Sequence, residues 1–206
     1  MSVLSPQPPA KPGPAWEVAR LFPDQGQWGE GDYLELNRRT NNLVELNDGH
    51  IEVLDMPTRT HQRLVLFLYN ALQAFVEPRK LGEVLVAPYP VRLRQDKFRE
   101  PDIIFMLTEH AHRMREDYAE CADLVIEVLR ENRSRDLETK RAEYAQAGIP
   151  EYWIVDPRER QTIVLHLVGE SYATHADSRR DSRVTSALLP GFVLNAELLF
   201  GSIDFG

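Results

Sequence analysis

The sequence predicts an α/β fold with helices packed on a mixed sheet, and three observations carry that prediction. "DLVIEVL" (residues 123–129) and "EYWIVDP" (151–157) have the character of buried strands, and between them "SRDLETKRAEYAQAG" (134–148) has that of a helix. Two strands flanking a helix favour a parallel crossover. In "THQRLVLFLYNALQAFVE" the apolar residues stand at 64, 67, 68, 71, 72, 75 and 76, the spacing of one helix face. "NLVELNDGHIEVLD" has two short strand patterns around Asn47-Asp48-Gly49, and Asp-Gly tolerates the positive φ of a tight hairpin.

The remaining elements follow in chain order. "GDYLELNRRT" carries Tyr33, Leu34 and Leu36 in a short helical pattern before the hairpin. Thr58 and Thr60 are the cap candidates of the long helix, and Pro78 lies close to its end. "GEVLVAPYPVRLR" is extended, with Pro88 and Pro90 marking a bend or an edge. Within "VRLR", Val91 and Leu93 face one way, Arg92 and Arg94 the other. "PDIIFML" is a short buried strand, and "HAHRMREDYAEC" a short helix or loop. Gly148 ends the crossover helix. "QTIVLHLV" alternates, with Ile163, Leu165 and Leu167 on one face, and Tyr152 and Trp153 alternate so that one of them faces the core. Short strands in "SYATHA" and "RVTSAL" precede "PGFVLNAELLF", which ends in a turn of helix.

Composition narrows the class. A chain of 206 residues, 43% hydrophobic, suits one compact domain over residues 26–206, preceded by a proline-rich tail over 1–25. No apolar run is long enough to span a bilayer, and "MSVLSPQPPAKPGPAW" lacks the apolar core expected of a secretory signal. The single cysteine, Cys121, excludes an internal disulfide and points to a reducing, cytoplasmic setting. A net charge of −8 argues against non-specific nucleic-acid binding, yet Arg92, Arg94, Lys97 and Arg99 form a local basic run. A solvated face is the simpler reading of such a run.

The chemistry lies in three residues. Asp102 stands at the start of one buried strand, Glu127 inside the next, and Lys140 on the following helix. Two carboxylates on neighbouring strands repel unless a cation lies between them, and oxygen donors suit Mg2+ or Mn2+. A nearby ammonium could orient water or offset charge on a phosphate. Taken singly, the same residues also fit a structural pair of Glu127 with Lys140 or an arginine. Tyr144, four residues after Lys140, shares its helix face and is expected to be core or support. His110 and His112 lack ligand spacing and fit a surface loop.

"EPDIIF", "DLVIEVL" and "RDLETKRAEYAQAGIPEYWIVDP", in this order, resemble the Uma family of endonucleases within the PD-(D/E)xK nuclease superfamily. "LVELNDGHIEV", "THQRLV" with His61, and "LLPGFVLNAELLF" extend the resemblance over residues 28–200. It implies a restriction-endonuclease-like fold, a mixed central sheet flanked by helices with an N-terminal β-hairpin. It implies an endonuclease hydrolysing phosphodiester bonds in DNA, with Asp102, Glu127 and Lys140 catalytic. Mg2+ or Mn2+ would be held by Asp102, Glu127, the Val128 carbonyl and an N-terminal acid. Glu45 and Glu52, on opposite arms of the hairpin, compete for that last place. Glu52 is favoured because its arm leads into the long helix. A homodimer is also implied. Two departures favour the alternative of a nuclease-fold nucleic-acid-binding or regulatory module: Leu129 stands where the superfamily often has lysine, and Arg130-Glu131 where the family commonly has Ser-Pro.

Overall fold

The computed structural model describes residues 22–130 and 134–204. Most of the proline-rich tail, and Glu131, therefore lie outside the described residues. Residues 22–28 belong with the domain: Phe22 stacks on Trp28, and the Gln25 side chain exchanges two hydrogen bonds with the Ile51 backbone.

Helix α1 (Glu30–Arg39) leads into the hairpin of β1 (Val44–Asn47) and β2 (His50–Val53). Asp48 and Gly49 both take positive φ at the turn, as the sequence requires. The long helix is α2 (Arg59–Val76), with the Thr58 side chain accepting from the His61 N–H at its start. Strands β3 (Gly82–Val86), β4 (Val91–Arg94), β5 (Lys97–Arg99) and β6 (Ile103–Leu107) follow, then a 3-10 turn (Thr108–Arg113) and β7 (Ala119–Glu120). The crossover is β8 (Leu124–Val128), α3 (Ser134–Gln146) and β9 (Glu151–Asp156), and β8 and β9 pair in parallel as expected. Strands β10 (Gln161–Val168), β11 (Ser171–Asp177), β12 (Arg183–Thr185) and β13 (Val193–Asn195) precede α4 (Ala196–Gly201).

The expected mixed sheet flanked by helices is present, and the N-terminal hairpin belongs to a second main sheet beside it. A six-stranded sheet runs β11-β10-β9-β8-β6-β3, and a five-stranded sheet runs β2-β1-β5-β4-β7. The chain passes between them five times, and two of the short passages are Ala87–Pro90 and Glu100–Asp102. Both passages contain proline, which cannot donate to a ladder.

Apolar side chains cover the larger sheet on both faces. On one, Leu64, Leu68, Leu72 and Val76 of α2 pack against Ile103, Phe105, Ile126 and Trp153. On the other, Tyr144 and Ala145 of α3 pack with Ile104, Val125, Tyr152 and Leu165. Tyr152 and Trp153 are therefore both fully buried, where alternation alone assigned one of them to the core. Tyr33, Val44, Leu46 and Phe98 form a separate core under the five-stranded sheet.

Candidate metal-binding active site

Strand register places the two acids. Ile103 pairs with Ile126 and Ile104 with Val125, antiparallel, and continuing that register sets Asp102 opposite Glu127. Residues directly opposed in such a ladder point to the same face. Here it is the face that α3 covers, shared by Ile104, Val125 and Tyr144. The Val128 N–H donates to Asp102 Oδ2 at 2.7 Å, which fixes the aspartate against the 127–128 peptide.

Helix α3 then brings its own pair. Lys140 and Tyr144 are four residues apart, so they project from the same side of the helix. Lys140 Nζ and Tyr144 Oη each donate to Glu127 Oε1 at 2.7 Å. Glu127, Lys140 and Tyr144 are all buried. Burial pushes the Glu127 carboxyl up. Lys140 opposes this, while the charges of Asp102 and Glu45 push further the same way. The Tyr144 hydroxyl is raised by burial and by Glu127.

The N-terminal acid that reaches this cluster is Glu45, not Glu52. Glu45 lies 3.0 Å from Lys140 Nζ and also accepts from Arg99 Nη1 at 2.9 Å and from the Glu100 N–H at 3.0 Å. Burial pushes its carboxyl up, but Lys140, Arg99 and the Glu100 amide outweigh that and hold it at about 2. Glu52 is the direct cross-strand partner of Glu45 and faces the same way. It sits on the outer strand, however, with half its side chain in solvent and its carboxylate bound by Asn47 Nδ2. The difference is topological: β1 joins β5 and lies inside the sheet, whereas β2 is its edge.

Two further groups lie beside this cluster: Glu100, which the sequence did not single out, and His61, noted there only for its match to the family pattern. Glu100 is buried with neither carboxylate oxygen hydrogen-bonded, and burial with the Glu45 charge pushes it up to about 8. Its signal was its place two residues before Asp102. His61 Nε2 lies 3.0 Å from Asp102 Oδ1. Both side chains line a mostly apolar groove of about 420 Å³, together with Leu43, Met56, Val65 and Pro88. Arg130, at the family's Ser-Pro position, also lines the groove, and its Nη1 is hydrogen-bonded to the Asp55 carbonyl.

The basic run resolves into ion pairs. Arg92 meets Glu30, Arg94 meets Asp48, Lys97 meets Glu143, and Arg99 meets both Glu143 and Glu45. His110 caps a structural acid, with Nδ1 2.7 Å from Asp123 Oδ1.

The donor chemistry fits a hard divalent ion. Asp102 and Glu127 are opposed carboxylates at the meeting of the two sheets, and Glu45 and Glu100 add further acid nearby. The recorded bonds use Asp102 Oδ2 and Glu127 Oε1. Glu127 Oε2 therefore accepts no hydrogen bond among the described residues. No three acidic, histidine or cysteine side chains among the described residues stand ready as a complete metal cage. An open site of two carboxylates completed by carbonyl and water is the usual form for such ions.

The same fold occurs in a crystal structure described as a putative nuclease belonging to DUF820 from Anabaena variabilis. It is 18% identical, with a TM-score of 0.69, covering 85% of this chain and 99% of that one. No curated protein matches the sequence. The Uma2 model, described as "Putative restriction endonuclease", matches residues 31–197. With most of its length matched, the chain belongs to the Uma2 family.

Proposed function

We propose that the protein is a metal-dependent endonuclease that hydrolyses phosphodiester bonds in DNA. The observation that carries this reading is the convergence of Asp102 and Glu127, opposed across two strands, with the Lys140 ammonium 2.7 Å from Glu127. Asp102, Glu127 and the Val128 carbonyl would hold Mg2+ or Mn2+, and the ion would supply Lewis-acid polarisation of the scissile phosphate. Family membership and the fold shared with the Anabaena protein support the same reading.

Each residue of the chain then has a task. The Val128 N–H keeps Asp102 in one rotamer. Tyr144 and Lys140 anchor Oε1 of Glu127 and leave Oε2 for the ion. Lys140 is positioned to orient the attacking water or to offset charge developing on the phosphate. Glu45 holds the ammonium from its other side, as Glu52 cannot from the sheet edge. The groove beside Asp102 gives the substrate its approach. Cutting both strands of a duplex would call for two copies, so a homodimer belongs to this reading. No helix among the described residues is long and apolar enough to cross a membrane. A lone cysteine fits work in the cytoplasm.

One observation favours a second reading, a nucleic-acid-binding module without turnover. Lys140 is already held between two carboxylates, and Leu129 leaves the superfamily's usual lysine position empty of charge. Plasmid nicking and calorimetry separate the two. With Mn2+ or Mg2+, the wild type should nick, and Glu127→Ala should bind the ion weakly and not cut. Lys140→Ala should still bind the ion, because a competing cation has gone, yet cut poorly. Undiminished nicking by Glu127→Ala would remove the assignment, and a wild type that binds DNA but never cuts would establish the second reading.

A further inference from the structure

We infer that His61 is a direct ligand of the divalent ion, giving the centre a nitrogen donor that favours first-row transition ions over Mg2+. This rests on the metal-centre reading above and extends it to a residue that the reading does not use.

His61 is buried, and neither of its ring nitrogens has a hydrogen-bond partner. Buried imidazoles are ordinarily satisfied, because a polar nitrogen taken from water without a partner loses the hydrogen bonds it made there. Nε2 lies 3.0 Å from Asp102 Oδ1, within hydrogen-bonding distance, but the groups are not aligned for a hydrogen bond. Two donor atoms, Nε2 and Oδ1, that stand close without a hydrogen bond between them fit two ligands of one ion. Adjacent donors of an octahedral ion with bonds of about 2.1 Å stand about 3.0 Å apart.

Three further features agree. Asp102 Oδ2 is occupied by the Val128 N–H, so Oδ1, the oxygen facing His61, is the one available to a cation. His61 and Asp102 both line the groove, whereas Glu127 and Lys140 are not among its walls, so this pair is what an ion arriving from solvent meets first. The position of His61 on the fold is also fixed, because its backbone N–H is tied to Thr58 Oγ1 at the start of α2. A mixed imidazole and carboxylate set binds Mn2+ and later first-row ions in preference to Mg2+, which takes oxygen.

The test uses the full chain and Mn2+ itself. Pulsed electron paramagnetic resonance at one equivalent of Mn2+ should show a nitrogen coupling whose frequency changes when histidine is supplied with 15N. His61→Gln should abolish the coupling, and His110→Gln should not. By calorimetry His61→Gln should weaken Mn2+ binding about tenfold or more, the scale on which even outer-shell partners affect metal affinity. Mg2+ binding should change much less, while Asp102→Ala should weaken both ions. Bound Mn2+ without nitrogen coupling, or an equal loss for both ions in His61→Gln, would overturn the inference and leave the metal centre standing. A wild type that binds neither ion would overturn both. The wild-type coupling does not depend on any variant folding.

Discussion

Glu45 and Glu52 show how one carboxylate comes to matter and its neighbour does not. They share a face and a chemistry, but Glu45 accepts from Arg99 and the Glu100 amide and contacts Lys140, while Glu52 meets solvent. Glu45 is held at about 2 against an ordinary 4.5, which corresponds to roughly 3 kcal/mol of stability. Because the folded value is depressed, that stability is fully present above pH 4.5. It is lost as the pH falls from there toward 2. Glu45→Gln should therefore lower the melting temperature at pH 7 and flatten its fall between pH 5 and 2. Glu52→Gln should stay within about 0.5 kcal/mol of the wild type, as surface changes do. Thermal melts across that range check both. An acid limb unchanged in Glu45→Gln would show that the Lys140 and Arg99 contacts add no net stability.

Elements place these side chains through close packing. Strand β3 lies at the edge of the larger sheet, paired with β6, whose first residues continue back to Asp102. Gly82, at the start of β3, is required by approach rather than by backbone angle. A Cβ there would collide with the Met106 carbonyl oxygen and come within 2.7 Å of the Phe105 ring. Gly82→Ala should cost about 1–3 kcal/mol, the range for overpacking. Urea denaturation should record this as a lower midpoint with an unchanged slope. The elements themselves were legible. The 3.6-residue pattern gave α2 with Thr58 and Thr60 as cap candidates, of which Thr58 caps it, Asp-Gly gave the hairpin, and strand-helix-strand order gave the parallel crossover. Patterns of period 2 and 3.6 report which face of an element is buried. They do not report against what it is buried.

At the scale of the molecule, charge behaves differently from its sum and from its local runs. Arg92, Arg94, Lys97 and Arg99 form a local basic run whose simpler reading was a solvated face, but acids from α1, the hairpin and α3 pair with all four. With that run neutralised and a net charge of −8, few phosphates can be neutralised at once. The logarithm of DNA affinity against that of salt should have a slope shallower than about −3, since each neutralised phosphate adds about −0.9. Fluorescence anisotropy between 50 and 200 mM salt, about one Debye length being roughly 10 Å at the middle of that range, measures it. A slope near −6 would mean that the ion pairs open on binding.

The sequence by itself determined the long helix, the hairpin and the crossover, and offered the line Asp102, Glu127, Lys140 as candidates, because these follow from local periodicity and from motif order along the chain. Tertiary structure alone decided that the strands split into two sheets and that Glu45 is buried while Glu52, on the same face, lies at the sheet edge. It also decided that Arg99 and Lys97 are spent on internal acids and that His61 faces Asp102. Each of these depends on which strand becomes an edge and which helix covers it. Such pairings join residues tens of positions apart, and no local pattern encodes them.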